Sequence, residues 1–343
     1  MEDLIQIPTP KYIKAYAESR IGGRSENQDS FGYAETPYGF LVTVCDGMGG
    51  GPGGKTASSI AVEEIINGVK EGNIEDTVPN ILIKAIRRAN MAIINYGMEK
   101  PELKGMGSTC TVLIISEKCA TVAHVGDSRV YQLRGKSKVF RTFDHSMVFD
   151  LVKQGVISEE QARLSAQSNV ITRALGVKLD VEVDVVELSY ETGDRFLLCT
   201  DGIHGTMPET QLIAAVSDRK LQLGAITDTL ATTVDGTGRS EGGGHDNLTL
   251  AIVETNINSK LKQTMSKNMK ISFLILCVVC AISLIVNVFA VSSKSEVEFK
   301  DGFLTMDSVT YDKNFKDSVQ IKVDNDTTTI TYYNQNVTKK ENK

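Results

Sequence analysis

The sequence has no excess of positive charge, little proline and few cysteines, and each shortage excludes a class of protein. Its 343 residues carry a formal net charge of −6, which argues against a nucleic-acid-binding protein, because such proteins usually show a basic stripe. With 7 prolines, 29 glycines and 41% hydrophobic residues, the composition is not that of a collagen-like or disordered chain. The 6 cysteines are scattered, which argues against a disulfide scaffold and favours reduced, cytosolic thiols.

The first 24 residues contain no apolar stretch of the kind found in signal peptides. Near the C-terminus, by contrast, one long apolar segment has no charge. Residues 271–291 form an uncharged run that would span about 31 Å as a helix, so they predict a transmembrane helix rather than a buried core helix. Lysines without acids precede this run, and lysines mixed with acids follow it. The positive-inside tendency therefore predicts a single-pass protein of the cell membrane, with residues 1–270 in the cytoplasm and 292–343 outside.

The same reasoning divides the chain into four parts. They are a main domain over residues 12–255, a basic juxtamembrane linker over 256–270, the transmembrane helix over 271–291 and an extracytoplasmic tail over 292–343. In the tail, the alternation of apolar and polar residues around a turn within 317–333 predicts a small hairpin.

Helical and strand-like patterns in the main domain follow an order typical of an α+β fold. Helices are predicted from about Lys55 and over about 77–96, the second ending at Gly97 as a C-cap glycine. Two short helices are predicted within 144–176, the second beginning with a capping box at Ser158. Strands are predicted over 38–45, 108–115, 119–125, 129–133, 181–188, 195–200 and 248–254. Because the connections between 108 and 133 are short, these strands are predicted to form hairpins of an antiparallel sheet that helices cover.

Three glycine-containing patterns would indicate other kinds of site. Residues 49–56 match the P-loop pattern GxxxxGK[ST] between a strand and a helix, so a nucleotide hydrolase is a rival hypothesis. The predicted hairpins count against it, because P-loops belong to parallel βαβ folds. The overlapping GxGxxG lacks the acidic residue that a dinucleotide site needs about 20 residues further on. Residues 238–242 match the GxSxG nucleophile elbow but lack its flanking strand and helix, so they are predicted to be a flexible loop.

Aspartates at the ends of predicted strands indicate a metal site. Five share this placement: Asp29, Asp46, Asp127, Asp201 and Asp246. Each alone is typical of a turn, but together their oxygens suit divalent cations such as Mg²⁺. The Asp-Gly pairs also allow a close backbone approach, so that a main-chain carbonyl can be a ligand. Arg24 lies five residues before Asp29 and could bind two phosphate oxygens, so the set predicts metal-assisted phosphoryl hydrolysis.

Seven short motifs follow one another between residues 12 and 255. They are Arg24-Ser-Glu-Asn-Gln-Asp29, Asp46-Gly-Met-Gly-Gly50, Gly107-Ser-Thr109, Gly126-Asp-Ser-Arg129, Asp144-His-Ser146, Thr200-Asp-Gly202 and Gly244-His-Asp-Asn247. Their order resembles that of the metal-dependent serine/threonine phosphatases of the PPM (protein phosphatase 2C-like) family, and of its bacterial branch most. The resemblance implies a four-layer α-β-β-α sandwich of two antiparallel sheets flanked by helices, with metals in a cleft at one end.

The resemblance also implies a metal-ligand set. Asp46 would bridge two Mn²⁺ or Mg²⁺ ions, the Gly47 carbonyl would bind one of them, and Asp201 and Asp246 would complete the first ion's shell. Asp127, with Asp201, would match a third and weaker metal site.

Further roles implied by the resemblance concern the substrate. Arg24 would bind the substrate phosphate, Asp29 would hold a water molecule beside the metals, and residues 144–176 would form a mobile flap. The implied activity is hydrolysis of phosphoserine and phosphothreonine in proteins by an activated water, without a covalent intermediate. Partners would be phosphorylated proteins, among them a Ser/Thr kinase or its targets, and no nucleic acid.

Two departures bear on the chemistry. Animal members of the family have an acid where Gln28 stands and a histidine, proposed as the general acid, where Met48 stands. His145 on the flap is the best substitute for that histidine among the histidines near the motifs. A degenerate phosphatase domain that acts as a binding module is the alternative to an enzyme.

Overall fold

The structure is a computed structural model that describes residues 4–49, 53–165 and 167–260, together with the backbone of short strands between 292 and 334. The chain divides into two compact units, Met1–Gln263 and Thr264–Lys343. The first unit holds all seven motifs. Its helices and strands are, in chain order, β1 (Leu4–Ile7), β2 (Ile13–Arg20), β3 (Ser30–Thr36), β4 (Gly39–Cys45), β5 (Gly47–Met48), α1 (Gly53–Lys70), α2 (Val78–Glu99), β6 (Gly107–Ser108), β7 (Cys110–Ile115), β8 (Ala120–Val125), β9 (Arg129–Arg134), β10 (Ser137–Arg141), α3 (Met147–Lys153), α4 (Glu159–Arg163), β11 (Asp184–Leu188), β12 (Arg195–Cys199), α5 (Asp201–His204), α6 (Glu209–Val216), α7 (Leu223–Ser240) and β13 (Leu248–Thr255).

Two antiparallel sheets form the centre of this unit. One has five strands in the order β11-β8-β7-β4-β3, and the other has six in the order β1-β2-β13-β12-β9-β10. Every neighbouring pair in both sheets is antiparallel. The predicted α+β class with antiparallel strands is thereby confirmed. The parallel βαβ unit that a P-loop requires is not formed by the strands that the structure describes.

Strand periodicity explains why both faces of each sheet are covered. Along β4, Leu41 points into a cluster with α1 and α2, while its neighbours Phe40 and Val42 point into a cluster between the sheets. Along β12, Phe196 and Leu198 enter the cluster between the sheets, while Leu197 and Cys199 pack with α5, α6 and α7. Because successive side chains of a strand point to opposite faces, a continuous apolar run is buried on both. The packing order is therefore helices, sheet, sheet, helices.

The end of α2 differs from the prediction that Gly97 caps it. The helix continues to Glu99, and Lys100 is the extended residue that ends it, with its N–H bonded to Tyr96 O. Pro101 follows, and a residue before proline is disfavoured in the helical region. Proline therefore ends the helix, and Gly97 is an ordinary position inside it.

The connection from β8 to β9 was predicted to be a hairpin, and this prediction is wrong. Only Gly126, Asp127 and Ser128 separate the two strands, yet the strands lie in different sheets. Gly126 has a φ of 101°, and a Cβ there would lie 2.7 Å from a side-chain atom of Thr109. Glycine therefore permits a turn that other residues would strain, and this turn carries the chain from one sheet to the other.

The GxSxG segment 238–242 was predicted to be a loop, but residues 238–240 form the last turn of α7. In that turn Ser240 Oγ donates a hydrogen bond to Thr237 O at 2.7 Å, a bond between residues of one helix. The capping box predicted at Ser158 is confirmed, because Ser158 is the N-cap residue of α4 and both hydrogen bonds of the box are present.

The second unit contains the predicted hairpin. Strands Asp317–Asp324 and Thr327–Asn334 pair antiparallel, and two strands that the sequence analysis missed, Glu296–Lys300 and Phe303–Met306, extend them into a four-stranded sheet. The segment predicted to span the membrane, residues 271–291, lies outside the described residues. Within the described part of the chain, no helix is long and apolar enough to cross a membrane.

Candidate metal and phosphate site

The acidic residues that the sequence singled out meet at one end of the two sheets. Asp46 follows β4, Asp201 follows β12, Asp246 precedes β13 and Asp127 occupies the turn between β8 and β9. All four line a cavity of about 480 Å³, together with Gly47 and Arg24. The sequence therefore identified the residues of one site, although they come from distant parts of the chain.

Asp29 lies behind this cavity rather than on its wall. Its side chain is buried, with 2% of the residue exposed, and Oδ2 accepts a hydrogen bond of 3.0 Å from Thr200 Oγ1. Lys55 Nζ donates to the main-chain oxygen of Asp29 at 2.8 Å. The lysine of the P-loop pattern thus supports the acidic site instead of a nucleotide.

Crowding of carboxylates gives the site its electrostatic character. Burial raises the pKa of Asp29 to about 7 and that of Asp201 to about 6, and neighbouring carboxylates add to both shifts. Burial also raises the pKa of Asp46 and Asp127 well above their usual range. For Asp46 the next causes are the carboxylates of Asp29, Asp201, Asp127 and Asp246. Negative charge on these groups is therefore costly unless a cation joins them.

The residues present fit a site for divalent cations. Asp201 Oδ1 is buried and has no hydrogen-bond partner, so it is a free ligand oxygen. Among the described residues that line the cavity, Arg24 is the one cation, and it lies at the mouth with half of its side chain exposed. Carboxylate oxygens that lack protein cations are the ligands that Mg²⁺ and Mn²⁺ prefer.

Glycines bring the backbone of the site close together. A Cβ on Gly47 would lie 2.0 Å from Gly54 O and 2.6 Å from Gln28 O, so only glycine fits after Asp46. This close approach presses the Asp46-Gly47 backbone against the first turn of α1.

The motif Gly107-Ser-Thr109, to which the sequence analysis gave no role, holds Asp46 in place. Thr109 Oγ1 accepts from Asp46 N–H at 2.9 Å, and Ser108 Oγ donates to Asp46 O at 2.9 Å. The Thr109 hydroxyl also lies 2.7 Å from the Ser128 hydroxyl, next to Asp127. A short polar motif beside a glycine was the only sequence signal for this role.

Two histidines hold the turn that carries Asp127. His204 Nε2 is 3.0 Å from Asp127 O. The main-chain N–H of His145 donates to Gly126 O at 3.0 Å, and its ring Nδ1 accepts from Gly126 N–H at 3.1 Å. Burial lowers the pKa of His204 to about 3 and that of His145 to about 4, so both are neutral near pH 7. His145 is 3% exposed and is not among the residues that line the cavity, so it does not replace the general acid expected at Met48.

A second group of possible metal ligands consists of His124, His145 and Asp184, whose ligand atoms lie within 4.8 Å of one another. His145 Nδ1 accepts from Gly126 N–H, so the ring proton is on Nε2, which lies 3.2 Å from Asp184 Oδ2. Arg173 Nη1 also lies 2.9 Å from Asp184 Oδ1. A metal at Nε2 would have to displace that proton beside a guanidinium, so hydrogen bonding explains this cluster better.

The segment proposed as a flap, 144–176, contains α3 and α4 and supplies Asn169 and Ile171 to the cavity wall. Met48 and Gln28 line the same cavity, at the two positions where the sequence departs from animal members of the family. The flap segment is thus next to the acidic site, as the resemblance implies.

Comparison with known proteins decides which family this site belongs to. The family model described as Protein phosphatase 2C matches residues 18–233. The chain belongs to the protein phosphatase 2C family. It is 35% identical over 241 residues to the Serine/threonine phosphatase stp of Listeria welshimeri, which covers 69% of this chain and 93% of that protein.

Solved structures agree with this assignment. The serine/threonine phosphatase of S. agalactiae is 30% identical with a TM-score of 0.65, covering 71% of this chain and 100% of that one. The catalytic domain of the phosphatase PstP in complex with two manganese ions is 28% identical with a TM-score of 0.59, covering 71% of this chain and 98% of that one. The protein is therefore a metal-dependent serine/threonine phosphatase, and its substrates are phosphoproteins.

Proposed function

We propose that this protein phosphatase 2C member hydrolyses phosphoserine and phosphothreonine with two bound Mn²⁺ or Mg²⁺ ions, as a membrane-tethered enzyme whose catalytic unit faces the cytoplasm. The observation that carries the chemical part is the cluster of aspartates around one cavity with one arginine at its mouth, in which burial and the neighbouring carboxylates raise the pKa of Asp46. The PstP structure with two manganese ions supports the number of metals.

Each aspartate of the cavity has a role in this proposal. Asp46, the Gly47 carbonyl, Asp201 and Asp246 would hold the two ions, and Asp127 with Asp201 would hold a third, weaker one. When bound, such ions lower the pKa of a water and neutralise charge on a phosphoryl group. The aspartates themselves would hold these ions at one end of the two sheets, where the strand ends bring the ligands together.

Arg24 and Asp29 are the proposed catalytic residues. Arg24 Nη2 lies 2.8 Å from Asp246 Oδ2, so the guanidinium is beside the metal ligands and can orient two phosphate oxygens. Asp29 would hold a water molecule beside the metals from behind the cavity wall, while Thr200 fixes the orientation of its carboxylate. Positioning of this kind contributes a large share of phosphoryl-transfer catalysis.

The test of the chemistry is hydrolysis of a phosphothreonine peptide by the full chain in detergent, with EDTA, Mn²⁺ or Mg²⁺. Metal-dependent activity should fall on the order of 10³-fold in Asp46→Asn, while circular dichroism stays unchanged. Asp76→Asn is the matched control, since Asp76 pairs with Lys84 at the surface and should retain full activity. A folded, Mn²⁺-binding wild type without activity would instead favour a binding module.

The membrane part of the proposal is supported by the uncharged segment 271–291 and by the lysines that precede it. Its test is fractionation of cells that express the full chain or a chain without residues 271–291. The full chain should sediment with membranes and resist carbonate extraction, and the deletion should appear in the soluble fraction. Equal distribution of the two chains would contradict the tether. A counteracting Ser/Thr kinase, or its targets, is the partner class we propose.

A further inference from the structure

Two loops and the first turn of α5 meet backbone to backbone beside the acidic cavity. A Cβ on Gly22 would lie 2.1 Å from Asp246 O, and one on Gly23 would lie 2.3 Å from Gly244 N. On the other side, a Cβ on Gly202 would lie 1.9 Å from Asn247 O. The loop that carries Arg24 is therefore packed directly on the segment that carries Asp246, with no room for side chains between them.

The side chain of Asn247 joins these loops by hydrogen bonds. Nδ2 donates to Ile21 O at 2.8 Å and to Glu26 O at 2.9 Å, and Oδ1 accepts from Gln28 N–H at 2.8 Å. With 5% of the residue exposed, the amide is buried, and these bonds use both of its donor hydrogens. One side chain thus fixes the main chain before and after Arg24 and directly before Asp29.

Arg24 depends on this backbone because its own side chain is weakly held. Half of that side chain is exposed, and it pairs with Asp246, which is itself partly exposed. A long exposed side chain has many rotamers, so the position of its Cα decides how often the guanidinium reaches the phosphate. Two hydrogen bonds from Asn247, to the carbonyls three residues before and two residues after Arg24, set that position.

We propose that Asn247 is a positioning residue that fixes Arg24 over the metal site and so controls how tightly substrate phosphate is bound. The inference rests on the proposed function, in which Arg24 binds that phosphate. Asparagine is required because aspartate lacks the two donors and leucine lacks all three bonds. Loss of the amide would remove both bonds to the carbonyls of Ile21 and Glu26, which frees the loop to move.

A double-mutant cycle tests the proposal, with the full chain, Mn²⁺, a phosphothreonine peptide as substrate and inorganic phosphate as inhibitor. In wild type, Arg24→Ala should raise KM and the inhibition constant for phosphate by roughly 10-fold or more, because a charged hydrogen bond is lost. In an Asn247→Ala background, the same change should raise both by less than about 3-fold. Asn247→Ala alone should raise KM more than it lowers kcat.

Asn90, on α2, provides a matched control that does not line the cavity. It is as deeply buried, donates through Nδ2 to Lys178 O and Leu179 O at 2.8 and 3.1 Å, and accepts from Gly176 N–H at 2.8 Å. Asn90→Ala therefore removes the same three kinds of hydrogen bond. In that background the full effect of Arg24→Ala should remain.

The possible results distinguish a failure of the role of Asn247 from a failure of the role of Arg24. If the effect of Arg24→Ala is as large in Asn247→Ala as in wild type, Asn247 is only structural and the inference is wrong. If Arg24→Ala leaves KM and phosphate inhibition unchanged in wild type, the proposed role of Arg24 is wrong, and the inference fails with it. Should Asn247→Ala not fold, Asn247→Ser gives the same cycle with a smaller loss of polarity.

Discussion

Asp144 and Asp29 are about equally buried, at 5% and 2% exposure, but their surroundings are opposite. Asp144 receives two hydrogen bonds from Arg129, at 2.7 and 2.6 Å, and this guanidinium lowers its pKa despite the burial. Asp29 has no cation of this kind among the described residues, so burial, together with the carboxylates of Asp201 and Asp246, raises its pKa to about 7. Burial alone therefore does not determine the charge of an aspartate in this protein.

The difference separates structural from functional acids. A paired carboxylate such as Asp144 is complete within the chain, whereas the carboxylates around the cavity are complete only with external cations. Stability and catalysis thus place contrary demands on aspartate. We call Arg129 with Asp144 the paired region and the carboxylates around the cavity the unpaired region, and the two lie next to each other. Asp144 and Asp201 even line one smaller cavity beside the acidic site.

Breaking the paired region should have the largest effect on stability. Arg129→Ala leaves Asp144 buried without its partner, so we expect a loss of about 3–5 kcal/mol in the free energy of unfolding. Chemical denaturation followed by circular dichroism measures it, since the chain has no tryptophan. Arg129→Met combined with Asp144→Leu should recover most of the loss. A single-variant loss below about 1 kcal/mol would mean that water replaces the arginine.

Removing a negative charge from the unpaired region should raise the free energy of unfolding instead of lowering it. Burial raises the pKa of Asp201 from its ordinary value of 3.8 to about 6 in the folded protein, so the folded state holds the proton more tightly. Wild type therefore loses stability as pH rises from about 4 to about 6, and above that the penalty is complete. In EDTA at pH 7.5, Asp201→Asn should be more stable than wild type by about 1–3 kcal/mol.

Measurement of the same pair at pH 3.5 provides the control for that prediction. Below the unfolded pKa, Asp201 is protonated in both states, so the advantage of Asn should disappear. An advantage that persists at pH 3.5 would show that it does not come from charge.

Binding of a divalent cation should make the carboxylates around the cavity resemble the paired Asp144. At a free Mn²⁺ concentration of 10 times its Kd, wild type should gain about 1.4 kcal/mol at pH 7.5. Asp201→Asn should gain less, because a ligand oxygen has become an amide. Equal gains in thermal-shift titrations of the two proteins would argue that Asp201 is not a ligand.

An exposed ion pair should give the smallest effect. Asp76 and Lys84 pair at the surface, where 71% of the lysine side chain is exposed. Asp76→Ala should change the free energy of unfolding by less than about 0.5 kcal/mol, because solvent screens such pairs. A larger change would show that pairing, rather than burial, sets the cost in the Arg129 variant.

Much of the candidate site could be predicted from the sequence because its acids follow apolar strands. Asp46 stands directly after such a strand and Asp201 two residues after another, and strand ends gather at the edges of sheets. The pairing of Arg129 with Asp144 could not be predicted, since 15 residues separate them and no local pattern links them. Likewise, the three hydrogen bonds of Asn247 depend on contacts with a loop more than 200 residues away.

Connections were the least predictable part of the fold. A three-residue link with glycine, such as the one from Val125 to Arg129, is equally typical of a hairpin and of a turn that changes sheets. Packing on both faces decides between them, and that information is spread over the whole domain. The end of α2 was predictable in principle, since Pro101 is visible in the sequence, but Gly97 offered a competing signal.

The change of sheet within three residues also affects the order in which the chain folds. Val122 and Val130 belong to different sheets but to the same apolar cluster, so the two sheets share a core formed by residues that are close in sequence. Short loops cost little chain entropy, whereas pairing β13 with β2 joins residues as far apart as Ala15 and Val253. We therefore expect the meeting of the two sheets to nucleate around this turn, and the strand pairing between the ends of the domain to complete folding last.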